Sequence, residues 1–199
     1  LEMHIPVLGI DPAAGPADVA IQSGVATIKE FFTRRLADRL VAEGKAADVL
    51  HANNVLAHVV DINGFVEGMA TLLKDDGLIV IEVPYVRDLI DHCEFDTIYH
   101  EHLCYFSLTT LVSLFQRHGL FLNDVRRLPL HGGSLRLYVG KHQDVRESVR
   151  LLLDEERSIG LDDSEYFRGF GQRVDRLKCS LLAMLRELKL QGKRIAANF

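Results

Sequence analysis

Cysteine is scarce in this sequence, and what there is does not pair. Cys93, Cys104 and Cys179 are the three cysteines in 199 residues, with no CxxC spacing and no disulfide rhythm. An odd, sparse set excludes a disulfide-stapled secreted framework and reads as reduced and cytoplasmic. Long apolar runs are missing as well. No stretch approaches the ~20 residues needed to span a bilayer, so no membrane role is expected. Leu1-Glu2-Met3-His4 lacks the basic region and apolar stretch of a signal peptide, and does not read as a natural start. Positive charge is not in excess: 23 Lys and Arg face 28 Asp and Glu, for a net charge of -5. Nucleic-acid binding wants a basic stripe and is not expected. An anionic small molecule remains compatible, because local cations and helix N-termini hold a phosphate against the overall sign. Repeats and low-complexity segments are absent, and nothing in the sequence sets an oligomeric state.

What is present is a globular composition, 48% hydrophobic, sufficient to bury one sizeable core and a small appendage. Short apolar runs alternate with helical stretches over the first 140 residues. Val7-Leu8-Gly9-Ile10-Asp11, Val25 to Phe32, Ala47 to Asn53 and Leu78 to Val83 read as strands, the last closed by Pro84. Thr33 to Gly44, Gly64 to Leu73 and Leu108 to His118 read as helices. Such alternation predicts a parallel sheet covered on both faces. Phe121 to Leu128 and Leu135 to Gly140 are two more strands, and the short link between them demands an antiparallel pair. The expected fold class is therefore α/β, a sheet that is parallel with an antiparallel terminal strand, followed by C-terminal helices; this topology suits a Rossmann-like methyltransferase better than a plain dehydrogenase fold. Asp144 to Ser158 and Ser164 to Gln191 supply those helices. In the second, Phe167, Phe170, Val174, Leu177, Leu181, Met184 and Leu188 form one apolar stripe, expected to pack on the main domain rather than form a dimer seam. Lys193-Arg194-Ile195-Ala196-Ala197 reads as the start of a further strand. The domain division is 1–142 for the sheet domain and 143–199 for the helical segment.

Eight of the nine histidines lie between His51 and His142. Histidine titrates near neutrality, so the cluster directs attention to acid–base or metal chemistry. His92, His118 and His142 read as surface residues. The densest run is Phe95-Asp96-Thr97-Ile98-Tyr99-His100-Glu101-His102. A metal could use His100 and His102, which share one face of a strand, but no further ligand set is evident. A structural hydrogen-bond network is a poor fit for so many titratable groups in a row. A proton-transfer site fits: a histidine removes a proton, a carboxylate orients it, and a phenol stabilises developing negative charge. Asp11 and Pro12 close the first strand, where an acidic residue accepts hydrogen bonds from ribose hydroxyls; a turn or helix-cap aspartate is the alternative. Asn53 and Asn54 follow a strand end, as cofactor-binding amides or as a turn. His58, on an apolar stretch, is more often a core residue. His131-Gly132-Gly133-Ser134-Leu135-Arg136 offers a hydroxyl and a guanidinium for an anion, or simply a hairpin turn.

VLGIDPA (7–13), ANNVLAHVVD (52–61), IEVPY (81–85), FDTIYHEHLCYFSL (95–108) and HGGSLRLYVG (131–140) together resemble the C-methyltransferases of deoxysugar biosynthesis. The resemblance covers about the first 140 residues, and GFGQRV…LKLQGKRIAA extends it into the helices. It implies a middle, S-adenosylmethionine-binding domain, with a zinc-binding N-terminal domain, the strand bearing the glycine motif and a third domain lying outside this chain. The implied substrate is a nucleotide-linked 4-keto sugar, deprotonated beside its ketone to an enolate that takes the methyl group. His102 is then the base, with Tyr99, Glu101 and His58 as its partners. Asp11, Pro12, Asn53 and Asn54 hold the cofactor, and Ser134 and Arg136 contact substrate. No metal is expected within this chain. The rival readings are a nicotinamide-dependent nucleotide-sugar oxidoreductase or epimerase, and a non-catalytic remnant of the family. The first expects Tyr-x-x-x-Lys, yet Leu103 stands four places after Tyr99.

Overall fold

A computed structural model describes residues 5–196; the readings placed on Leu1–His4 and on Ala197 lie outside the described residues. The chain opens as β1 (Leu8–Ile10), α1 (Ala14–Gln22), β2 (Ala26–Ile28) and α2 (Arg34–Ala42). α2 starts because the Thr33 side chain accepts from Leu36 N, and it buries Leu36, Ala37 and Leu40 at helical spacing. Then follow β3 (Ala47–Asn53), a 3-10 turn at Leu56–His58, α3 (Ile62–Leu72) and β4 (Leu73–Pro84). Asp61 caps α3 by accepting from Gly64 N. α4 (Val86–His92), a second 3-10 turn at Phe95–Thr97, α5 (Leu108–Gln116), β5 (Phe121–Leu128) and β6 (Ser134–Gly140) complete the sheet region. α6 (Glu147–Ser158), α7 (Ser164–Phe167) and α8 (Phe170–Leu190) follow.

β1 and β2 pair in parallel as a two-stranded sheet. The larger sheet has the order β3-β4-β6-β5, with β3 parallel to β4 and β6 antiparallel to both β4 and β5. The expected antiparallel terminal pair is present. No ladder among the described residues joins β1 to β3, but the two sheets share a core. Ile10 and Ile28 meet Ala47 and Leu50 around Leu36, Ala37, Leu40 and Leu72. The main core lies around β4 and β6, whose Ile79, Ile81, Val83, Leu135, Leu137 and Val139 are fully buried. Burial of each such side chain contributes about 1.5–3 kcal/mol.

Several expectations are corrected. Only Ala26–Ile28 of Val25–Phe32 pairs as strand; the chain then leaves the sheet, and Phe32 packs edge-on against Phe65 with ring centroids 5.2 Å apart. α1 and α4 were not expected. α8 forms with the expected stripe, yet none of its residues is buried: Leu177, Leu181 and Met184 are 44%, 47% and 52% exposed. It is α6 that packs on the main core, burying Val149, Leu152 and Glu156. Residues 193–196 are not strand. No helix among the described residues is long and apolar enough to cross a membrane.

Candidate active site

The Tyr-His-Glu-His run is a turn between the 3-10 helix at Phe95–Thr97 and α5, not a strand, so alternating faces do not apply to it. His102 N donates to Tyr99 O at 3.1 Å, and Leu103 N donates to Ala57 O at 2.8 Å, which fastens the turn to the segment carrying His58. His102 is half-buried, with Nδ1 lying 2.8 Å from Thr97 O. A carbonyl oxygen only accepts, so Nδ1 carries a proton, and in the neutral ring the lone pair is on Nε2. This is the tautomer a base requires. The His102 ring lies 4.4 Å from that of Tyr99 and 4.8 Å from that of His58, centroid to centroid. His58 is exposed at the end of its 3-10 turn rather than buried in the core.

These three side chains line a cavity of about 330 Å³ together with Asn54 and Tyr85. Glu94, Asp96 and His131 line it as well; Asp96 and His131 stood in the candidate runs without a role of their own, and Glu94 was not singled out from the sequence. Glu94 follows Cys93, whose left-handed backbone (φ 59°) turns the chain at the end of α4. The available signal was its place directly before the Phe95–His102 run. His100 and Glu101 point the other way: their side chains are 89% and 60% exposed, and Glu101 lies 3.9 Å from His100 Nε2. The group orienting His102 is thus a backbone carbonyl rather than the expected carboxylate. Among the described residues no group of three or more His, Cys, Asp and Glu side chains gathers as a metal site would.

The glycine pair after His131 has a packing reason. His131, Gly132 and Gly133 all have positive φ (50°, 84° and 143°). A Cβ on Gly132 would lie 2.2 Å from a Glu94 oxygen, and one on Gly133 would lie 2.1 Å from Asp88 Oδ2. Gly133 O accepts from Tyr85 N at 3.0 Å. Asp88 is buried and bidentate with Arg127, whose guanidinium also lies over the Tyr85 ring. Ser134 and Arg136 do not line the cavity: the Ser134 hydroxyl donates to Leu130 O, and Arg136 pairs with the buried Glu82.

Asp11, Asn53 and Asn54 stand at strand ends. Asp11 Oδ1 accepts from Ala13 N at 2.8 Å, while Oδ2 has no partner among the described residues; Pro12 beside it is exposed. Asn53 Oδ1 is buried with no hydrogen-bond partner among the described residues. A buried, unmatched acceptor costs about 1–3 kcal/mol and suits a donor group brought by a ligand. Asn54 adopts a left-handed backbone (φ 53°), and its N–H donates to Glu82 O at 2.9 Å.

Comparison with known proteins gives this geometry a context. A methyltransferase-domain family model matches residues 3–123, and a C-methyltransferase C-terminal domain model matches residues 129–198. The C-methyltransferase NovU of Streptomyces niveus is 36% identical over 193 residues, 96% of this chain. The chain belongs to the C-methyltransferase family. It spans 46% of the length of that relative. Solved methyltransferases share its fold at low identity. One from Thermotoga maritima, described as a possible histamine N-methyltransferase, superposes with a TM-score of 0.55 at 16% identity, covering 68% of this chain and 73% of that one. Magnesium protoporphyrin IX methyltransferase from Synechocystis, solved with S-adenosylhomocysteine, gives 0.55 at 12% identity over 71% and 66%. The sheet is thus that of the class I S-adenosylmethionine-dependent methyltransferases, as the sequence pattern implies. In that fold, ligands bind at the carboxyl ends of the strands, where this chain carries Asp11, Asn53 and Asn54.

Proposed function

We propose that the protein is an S-adenosylmethionine-dependent C-methyltransferase that acts on the carbon beside the ketone of a nucleotide-linked keto-deoxysugar. The observation carrying this reading is the His102 imidazole, fixed by Thr97 O as the Nδ1–H tautomer and facing a cavity shared with Tyr99 and His58. His102 Nε2 removes the α-proton, and the C–H electron pair becomes the carbon–carbon double bond of an enolate. The Tyr99 hydroxyl and the His58 imidazole stabilise the enolate oxygen. Glu101 is the outer carboxylate of the same turn. The cofactor supplies a methyl group on a sulfonium, an electrophile needing no further activation. Asp11 and Pro12 would hold it on one side, Asn53 and Asn54 on the other, with the open Asn53 Oδ1 as an acceptor. In this reading Ser134 and Arg136 shape the substrate side through the Gly132–Gly133 turn. The sheet region 1–142 binds cofactor, the helices from 143 onward lead to the rest of a longer enzyme, and any zinc lies outside this chain. Its free thiols fit a cytoplasmic setting.

The test is product analysis with isotopically labelled S-adenosylmethionine and a nucleotide-linked 4-keto-deoxysugar. The expected product carries one new carbon–carbon bond next to the ketone. Methylation of oxygen or nitrogen, or calorimetric binding of NAD in place of S-adenosylmethionine, would overturn the reading.

A further inference from the structure

Glu156 lies on α6, 71 residues from Tyr85 and 48 from Leu108, and is 1% exposed. Its carboxylate accepts four hydrogen bonds. Oε1 takes the Tyr85 hydroxyl at 3.0 Å and Leu108 N at 2.6 Å; Oε2 takes Thr109 N at 2.9 Å and the Thr109 hydroxyl at 2.6 Å. Leu108 and Thr109 begin α5, where the turn bearing Tyr99 and His102 ends. Tyr85 is a wall of the cavity, and Val86 N beside it donates to Phe106 O at 2.9 Å. One carboxylate therefore ties together the exit of the histidine-bearing turn and the wall that faces it.

We infer that Glu156 is a positioning residue: by holding Tyr85 and the start of α5 at one point, it sets where the Tyr99–His102 turn stands relative to the cavity. The inference rests on the proton-transfer reading of that cavity. Helix capping accounts for only part of the carboxylate: the Ser107–Thr110 box leaves the Leu108 and Thr109 N–H groups to Glu156, but Glu156 also takes the hydroxyl of Tyr85, which belongs to the opposite wall and to no cap. Packing alone does not account for it either, since an apolar side chain of similar volume fills such a space without the desolvation penalty of a buried charge. The neighbouring residues reinforce the same clamp. Arg87 of α4 pairs with Glu155, and the Tyr166 hydroxyl donates to Asp91 of the same helix at 2.6 Å, so α4 as well as α5 is held from the C-terminal segment. Burial, and then the Glu156 charge, push the Tyr85 phenol far above its ordinary range. Tyr85 thus stays a neutral donor to Glu156, leaving Tyr99 as the phenol for chemistry.

Two readouts on the intact protein test this. The first is the rate at which the α-proton of a nucleotide-linked 4-keto-deoxysugar exchanges with deuterated water. The second, which needs no substrate, is the NMR signal of the His102 Nδ1 proton. Glu156→Gln is expected to lower kcat for exchange by about tenfold or more while KM shifts by less than about threefold, a loss confined to the chemical step. The same variant broadens or removes the His102 signal. Tyr85→Phe and Thr109→Val, each deleting one donor, are expected to fall between wild type and Glu156→Gln on both readouts. They carry the test if Glu156→Gln does not fold. A wild-type kcat and a wild-type His102 signal in these variants, with only melting temperature reduced, would overturn the inference. If the wild-type protein itself fails to exchange or methylate, the functional reading falls, and the His102 signal alone decides the role of Glu156.

Discussion

At the scale of single residues, the site is governed by what His102 touches. Thr97 O selects its tautomer, and Tyr99 and His58 flank its ring. On the proposed mechanism, in which Tyr99 donates to the enolate oxygen, Tyr99→Phe is expected to slow exchange by about 10²-fold, read as kcat at saturating substrate. Glu101→Gln is expected to change the same rate by less than about threefold, because a solvent-facing carboxylate beside a histidine contributes little. His102 and Tyr99 were legible in the sequence within a dense run of titratable groups, and His58 only through the family resemblance. The orienting partner was not, because a backbone carbonyl has no residue type to signal it. The inward aim of Glu94 and His131 was equally hidden. It depends on left-handed backbone at Cys93 and at His131 itself, which only the folded chain reveals.

At the scale of elements, the glycine turn and the β5–α6 junction make separate predictions. Gly133→Ala introduces a side chain at φ 143° against Asp88 and is expected to destabilise by about 1–3 kcal/mol or more in urea unfolding. Asp124 of β5 sits at the second junction, where it accepts from Ser148 Oγ and Val125 N and pairs with Arg146. Burial pushes its pKa up, but the Ser148 hydroxyl, the Val125 N–H and the Arg146 charge outweigh it and leave the group below the usual carboxylate range. A depressed carboxylate contributes stability that is complete above the unfolded value near ~4 and lost as pH falls through the folded one. Asp124→Asn should therefore flatten the acid side of the stability profile measured by thermal melting, leaving the dependence above pH ~6 unchanged. Most element positions were readable because apolar spacing switched between two and three to four residues. α1 escaped because it buries only Ala17 and has Pro16 in its first turn, so it shows no apolar stripe. α4 is a short helix of seven residues placed directly after β4, too brief to display a period.

At the scale of the molecule, the main core extends from the sheet through α6, whereas α8 lies bare. Leu177→Gln on that helix is expected to leave unfolding stability within about 0.5 kcal/mol of wild type. Leu111→Ala, inside the main core, should cost about 2–5 kcal/mol in the same denaturant experiment. The fold class was legible because alternating elements and one short interstrand link admit few topologies. The packing of α8 was not, since an apolar stripe says that a face wants cover without saying what covers it. The central claim is that His102 takes a proton from carbon. Its most direct measurement follows deuterium entering the carbon beside the ketone of a nucleotide-linked 4-keto-deoxysugar, with wild-type protein and with His102→Asn. The account predicts exchange by wild type, a loss of about 10²-fold or more in the variant, and equal affinity of the two for S-adenosylmethionine. Exchange at the wild-type rate in His102→Asn would contradict it.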